Sequence, residues 1–448
     1  MYIRNLEVSD LRSITKGRLE FVYPGREPGR TFADVANWPP RLPNVNLLLG
    51  INGAGKSTML DAVALAALSP VIADSSGFRP YALIRRNARG LSPERAMAKV
   101  EVVIHPQDRE DKAGSAGEGG KTVVQSIAAS VERRGDFEML RAAEAQDPIW
   151  DGMFRDHSPA FLMVGYGATR RVEPSASSDP GLRAKSRQLR YERVASLFED
   201  HFTLRPLASW LPEWQGRNPG RYKQVVGLIS RLSRGQVVFT GQLEQGEYLF
   251  QVGRRNLVPY SALSDAYKAY IGWIGDLLYH VCMGCPSGQK LVDNKGVVLV
   301  DEIDLHIHPE WQRTMIPTLA ETLPNLQFIM TSHSPLVVGT LERVNVIHVE
   351  TGRRGNIVIK RPDEEIYGLT ADQILRSEIF GLDSTRDPKF KAHLDELTRR
   401  AVTGDREAAM KFMRQAAKGS GAAETLSGKS AEMPDWLASM TPFGSSRG

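Results

Sequence analysis

Gly50-Ile-Asn-Gly-Ala-Gly-Lys-Ser57 lies between a short, mostly apolar run, Val45–Leu49, and a helix-forming stretch, Ser57–Leu68. Every position fits the spacing G-x-x-x-x-G-K-[ST], and a strand before and a helix after are the context in which that spacing has a mechanism. Glycines let the backbone curl so that its N–H groups face a phosphate chain, and the helix that begins there adds its positive end. Gly50, Asn52, Gly53, Ala54, Gly55, Lys56, Ser57 and Thr58 are therefore candidate nucleotide-binding residues. Lys56 would reach the β- and γ-phosphates, which makes it a catalytic candidate as well, and the Ser57 hydroxyl would ligate Mg2+. A short buried strand feeding such a loop predicts an α/β fold on a parallel sheet.

Two further strand ends join this loop. Val297-Val-Leu-Val-Asp301-Glu302 is an apolar run that ends in two carboxylates. A buried strand holds an acid comfortably only where it meets a metal or water. Asp301 would complete the Mg2+ shell and Glu302 would polarise an attacking water, the pairing of an NTPase that hydrolyses. Phe328-Ile-Met330 leads into Thr331-Ser-His333-Ser-Pro335. A His at that edge faces the crevice where open α/β sheets bind nucleotides, so His333 is a candidate sensor of the γ-phosphate. The plainer alternatives are solvated acids and a structural His. After Glu302, Asp304 is a candidate for contacts between subunits. His306 and His308 form a His-x-His pair without a further ligand set of metal spacing.

The composition fits this reading. The chain has 448 residues, 42% of them hydrophobic and 24% charged, which excludes a disordered or fibrous protein. Two Cys exclude a disulfide scaffold. No apolar run approaches the ~20 residues of a membrane span, and the first residues do not form a signal peptide. A cytoplasmic protein without membrane contact is expected. The net charge is +5, and 41 of the 57 basic residues are Arg. Between Arg170 and Arg255 lie 15 basic and 8 acidic residues, with Trp210 and Trp214 interleaved. This stretch reads either as a DNA-backbone contact or as a solvated helical face with structural tryptophans. Cys282-Met-Gly-Cys285 has no second pair and no coiled-coil arms, so buried free thiols are expected.

Coarser signals organise the rest. Strands are expected over residues 2–23 (a pair), 98–104 and 123–132, and a hairpin over 235–251. Residues 183–235, 265–283, 370–380 and 388–417 read as helical, and 106–121 as a mobile loop.

Taken together the motifs resemble the ABC-type ATPase head of SMC and RecF-like proteins. More closely, the chain resembles predicted AAA-domain ATPases related to the overcoming-lysogenisation-defect proteins. Within that group it is similar to the ATPase subunit of the Septu anti-phage system and to retron-associated ATPases. The pieces that carry this are Asp301-Glu-Ile-Asp-Leu-His-Ile-His-Pro-Glu-Trp-Gln312, Leu323-Pro-Asn-Leu-Gln-Phe-Ile-Met-Thr-Ser-His-Ser-Pro335 and Tyr367-Gly-Leu-Thr-Ala-Asp-Gln-Ile-Leu375. The resemblance implies an ABC/SMC-type P-loop ATPase head with an inserted mixed helical lid and a helical C-terminal extension. It implies ATP and Mg2+ as cofactors, and a composite site in an ATP-dependent homodimer or higher oligomer.

It also assigns Leu263-Ser-Asp-Ala-Tyr267 to the signature motif, with Ser264 on the γ-phosphate of a neighbouring subunit and Ala266 in place of a glycine. No Gln lies between Lys56 and His105, so the Q-loop is missing. Leu83–Gly90 and Val164–Arg171 are the segments that could replace it, the second bringing Arg170 as a phosphate contact.

The expected domains are an N-terminal head lobe (1–165), a basic lid (166–255), a C-terminal head lobe (256–350), a helical extension (351–418) and a disordered tail (419–448). The expected role is the sensor and regulatory ATPase of an anti-phage pair that acts with a separate nuclease. A RecF/SMC-like repair or chromosome-maintenance ATPase and an ATP-gated scaffold are the alternatives. No Toprim acids follow His333, so no nuclease is expected within the chain.

Overall fold

The computed structural model describes residues 1–416 apart from 30, 34, 36, 74–77, 79–81, 88–89, 106–121, 143–153, 155–161, 173–188, 234–236, 287, 306 and 353–356. The expected mobile loop at 106–121 and the tail from 419 lie outside these residues. The chain forms two compact units, Met1–Phe380 and Gly381–Gly448.

The first unit opens with the hairpin β1 (Tyr2–Leu11) and β2 (Ile14–Glu20). The buried strand β3 (Val45–Leu49) follows, then helix α1 (Lys56–Ala67), almost every residue of which is buried. Next come β4 (Arg95–Ile104), β5 (Val123–Arg134), β6 (Phe137–Ala142) and the short β7 (Met163–Tyr166). An antiparallel sheet of order β2-β1-β4-β5-β6 shares one apolar core with α1.

The middle of the chain holds β8 (Arg171–Val172), β9 (Thr203–Leu204), α2 (Leu207–Arg217) and α3 (Pro219–Leu232). The meander β10 (Val237–Glu244), β11 (Glu247–Val252) and β12 (Asn256–Pro259) leads into the long helix α4 (Asp265–Gly284). After it come β13 (Gly296–Val300), α5 (Met315–Thr322), β14 (Leu326–Thr331), β15 (Val346–Thr351), β16 (Ile357–Lys360) and α6 (Ala371–Arg376). The second sheet has the order β16-β15-β3-β14-β13-β7 and is parallel apart from β16. Every residue of β3, β13 and β14 is buried, as largely apolar strands covered on both faces require, and the polar residues among them are Asn46, Gln327 and Thr331.

Amide side chains tie the two sheets together. Asn46 of β3 accepts from Val22 N at 2.7 Å and donates to Val22 O at 2.8 Å and Phe328 O at 3.2 Å. Gln327 of β14 accepts from Ile3 N at 2.7 Å and donates to Ile3 O at 2.8 Å and Val22 O at 3.0 Å. Both residues are completely buried, so these bonds replace water that cannot reach the backbone there.

The sequence and the structure differ in several places. The expected lid (166–255) is no separate body: Leu204, Trp210, Val225 and Phe250 share one core with α4 and β13. The head continues past residue 350, because β15, β16 and α6 belong to the first unit. Helix α6 covers six residues rather than the whole of 370–380. The expected helix over 388–417 is a hairpin, α7 (Pro388–Val402) and α8 (Arg406–Ala416), broken where Gly404 adopts φ +97°. Within that second unit Leu394, Leu397 and Ala408 form a small core.

Much of the block's positive charge is interior. Arg190, Arg193 and Arg221 are only 2%, 6% and 7% exposed. Arg221 donates to the carbonyls of Cys282 (3.1 Å), Cys285 (3.0 Å) and Pro286 (2.6 Å). Trp210 is core. Arg183, Lys185 and Arg187 lie outside the described residues, and Lys223, Arg231, Arg254 and Arg255 are exposed. Both cysteines are free and buried, and burial pushes the Cys282 thiol up to about 12, so it stays protonated and inert.

Asn46→Leu would leave the Val22 N–H without its partner in a dry core. It should cost about 2–3 kcal/mol, read as a lower urea midpoint. An unchanged midpoint would show that the amide bonds contribute nothing net.

Candidate functional site

The order of the parallel sheet builds the site. β14 lies between β3 and β13, so three strand ends meet: the loop after β3, Asp301–Glu302 after β13, and Thr331–His333 at the end of β14. Together they line a cavity of about 320 Å³, with Asn52, Gly53, Gly55, Lys56, Ser57 and Thr58 on one wall and Asp301, Glu302 and His333 on the other. Gly50 and Ala54 support the loop from outside this lining, and Ser264 lies elsewhere.

The glycines are needed where they stand. Gly50 has φ +155°, and a Cβ there would lie 2.2 Å from Val349 O. Gly55 caps α1 in the left-handed conformation. The Lys56 ammonium donates to Gly50 O at 2.9 Å and Ile51 O at 3.1 Å. Burial holds its pKa below the usual lysine value, opposed by the nearby Asp301, Glu302 and Asp304.

The acidic turn is held from three sides. Asp301 N donates to Tyr166 O at 2.8 Å. Thr331 Oγ1 donates to Asp301 Oδ1 at 2.6 Å and accepts from Glu302 N at 2.7 Å. Arg170 donates to Asp301 O, and to Glu302 O at 2.8 Å. Burial pushes the Arg170 guanidinium down to about 10, so it remains charged at neutral pH. Glu302 adopts φ +47°, a conformation that L residues enter at a cost of about 1–3 kcal/mol and keep only when their surroundings enforce it. On the other flank Asp304 accepts from His333 N at 3.4 Å. Gln312 bonds Ile307 O at 2.9 Å and accepts from Ser334 Oγ at 2.7 Å, tying the two loops together.

Arg170 is therefore a strap on the acidic turn and does not line the cavity, contrary to its expected phosphate contact. The segments expected to stand in for the missing Q-loop split in the same way. Val164–Arg171 supports the turn. Leu83–Arg85 braces the first hairpin, where Arg12 N donates to Leu83 O and Arg85 N to Asp10 O. His308 accepts from Glu310 N and caps a short helix, and His306 lies outside the described residues. Among the described residues no group of three His, Cys, Asp or Glu could hold a metal. The oxygen donors of Ser57 and Asp301 share this cavity, a pair that suits a hard cation bound mainly by phosphates and water.

Three contributions escape the sequence reading. Ser13, in the turn of the first hairpin, lines the cavity. Thr331 hides inside an apolar strand end, although its position between two strand ends was the available signal. Asp61 of α1 is buried and bonded to Arg12, next to Ser13. Burial pushes the Asp61 carboxyl up to about 7; Arg12 opposes the shift and Asp301 adds to it. An acid whose folded pKa is raised contributes stability that is full below its unfolded pKa and lost as pH rises through the folded one. Asp61→Asn removes that term. Measured by urea unfolding, the variant should gain about 2–4 kcal/mol on the wild type between about pH 5 and about pH 8. A difference that does not vary with pH would remove Asp61 as a titrating group.

Residues 45–339 match the family model described as "AAA domain, putative AbiEii toxin, Type IV TA system". Curated relatives include "Retron Ec83 probable ATPase" of Escherichia coli, 39% identical over 92 residues, which is 20% of this chain and 17% of that protein. "Septu protein PtuA" of Bacillus thuringiensis is 33% identical over 151 residues, 31% of this chain and 38% of that protein. The chain thus spans well under half the length of the curated relatives it matches. The SMC head domain of Thermotoga maritima aligns over 81% of this chain and 100% of that one, at 16% identity and a TM-score of 0.43. Among the described residues no helix is long and apolar enough to cross a membrane. The family match runs from β3 through the acidic turn to the strand end that carries His333, and the chain belongs to this AAA-domain family.

Proposed function

We propose that the chain is a Mg2+-dependent ATP hydrolase whose site is completed by a second copy of itself. The convergence of Lys56, Ser57, Asp301, Glu302 and His333 on one cavity carries this reading. The backbone N–H groups from Asn52 to Thr58 cradle the phosphates, and Lys56 leaves its two carbonyls for the β- and γ-oxygens. Ser57 and Asp301 would hold Mg2+, which would supply charge neutralisation there. Glu302, fixed by Arg170 and Thr331, orients water for in-line attack and takes its proton. His333 hydrogen-bonds the γ-phosphate.

The composite character rests on Ser264. It is exposed at the N-cap of α4 and makes no capping bond to its own helix. Helix N–H groups without a cap suit an anion. Ser264, with Asp304 near the edge of the pocket, would serve the nucleotide of a neighbouring copy.

The biological role we infer is the regulatory ATPase of an anti-phage pair with a separate nuclease effector. The likeness to proteins named "Septu protein PtuA" and "Retron Ec83 probable ATPase" supports it. The burial of Arg190, Arg193 and Arg221 weakens the alternative of a DNA surface on the block 170–255.

In steady-state assays Glu302→Gln should lose about 10²–10⁴ of the turnover while still binding ATP. Light scattering should show that variant doubling its mass with ATP. The same mass with and without ATP would rule out the composite site. Lys56→Ala should lose ATP binding, and unchanged affinity there would remove the phosphate-loop assignment.

A further inference from the structure

A second cavity in the first unit is larger than the one that Lys56 and Asp301 line. A space of about 550 Å³ opens behind the acidic turn. Leu207, Phe250, Tyr260 and Ile271 supply apolar and aromatic walls from four different elements, and Arg170 and Lys268 supply cationic groups at its edge. This is the make-up of a small-molecule site: mostly apolar, with a few polar groups that fix orientation. We propose that this cavity binds a small, flat, apolar molecule carrying one acidic group, and that its occupancy sets the affinity of the nucleotide site.

The acidic group follows from the charges that line the space. Lys268 donates to Asp265 at 2.8 Å, but Asp265 is 99% exposed, and a pair so hydrated is worth about 1 kcal/mol or less. A ligand acid in a drier place competes well for that ammonium. The acid among the lining residues, Glu247, already accepts from Ser261 N at 3.1 Å. The lining thus carries two cations against one carboxylate, which leaves a net positive charge for a ligand acid.

The coupling follows from Arg170. This residue lines the cavity, and its guanidinium bonds the carbonyls of Asp301 and Glu302. Two residues on, Val172 packs so tightly on α4 that a Cβ on Gly272 would lie 2.2 Å from its Cγ2. A ligand that presses on this segment moves the strap that holds Glu302 in its costly conformation. The same walls reach the signature segment: Tyr260 donates to Lys268 O at 2.8 Å, four residues ahead of Ser264. The coupling rests on the proposed nucleotide site; the cavity itself does not.

The test uses 8-anilinonaphthalene-1-sulfonate, a flat apolar molecule with one sulfonate, on the full chain. Its fluorescence should saturate at one equivalent. Ala208→Trp and Ala269→Phe fill the cavity from two walls, and each should weaken the dye by about tenfold with thermal unfolding unchanged. The second variant serves if the first does not fold. Dye affinity unchanged in both, or no saturable binding, overturns the site. In the wild type, saturating dye should shift the Kd for ATP by roughly threefold or more, and ATP should shift the dye's Kd equally. An unshifted Kd overturns the coupling. A wild type that binds dye in the cavity but no ATP would defeat the nucleotide reading and leave the cavity standing.

Discussion

Two buried amides hold the first hairpin and the parallel sheet of the first unit in register. Asn46 and Gln327 sit on the two central strands of the parallel sheet, and both bond the backbone at Val22, directly after the first hairpin. A carbonyl placed there without them would be an unpaid desolvation in a dry core. The bonds therefore fix where the hairpin lies against the parallel sheet. The hairpin turn in turn carries Ser13 to the nucleotide cavity and Arg12 to Asp61. A polar clip deep in the core thus sets the position of a residue at the mouth of the site.

The acidic turn obeys the opposite demand. A strand of four valines and leucines can stay buried, but the carboxylates that follow it must meet charge, water or a donor. Thr331 supplies the donor to Asp301, and Arg170 takes up the turn's carbonyls rather than its carboxylates. That choice leaves Asp301 and Glu302 open to the cavity. An Arg bonded directly to the two acids would have stabilised the turn and spoiled it for phosphate chemistry.

The sequence was readable where one local rule decides the outcome. β3, β13 and β14 are largely apolar runs that end in chemistry, and the phosphate loop is a spacing that backbone geometry enforces. It was opaque where a distant partner decides. Arg221 looks like a surface cation until the carbonyls at Cys282, Cys285 and Pro286 come to meet it. β7 has four residues, too few to show a period, and exists because β13 pairs with it. Gly404 and Asp405 did announce the break between the last two helices, but helical composition on both sides outweighed one glycine.

Helix α4 joins these separate lessons. Its exposed N-terminus carries Ser264, and its middle walls the large cavity at Ile271 and Gly272. Further along, Asp276 accepts from Tyr166 at 2.8 Å. Tyr166 O is the acceptor for Asp301 N. A helix of 20 residues is a rod of about 30 Å. Gly272 and Gly275 let Val172 and Leu207 approach this rod to contact distance. The helix thus connects the segment at Ser264 and the wall of the cavity, through Asp276 and Tyr166, to the backbone of the acidic turn. Arg170 reaches that turn from the other side, so the geometry of Glu302 is set jointly by the helix and the strap.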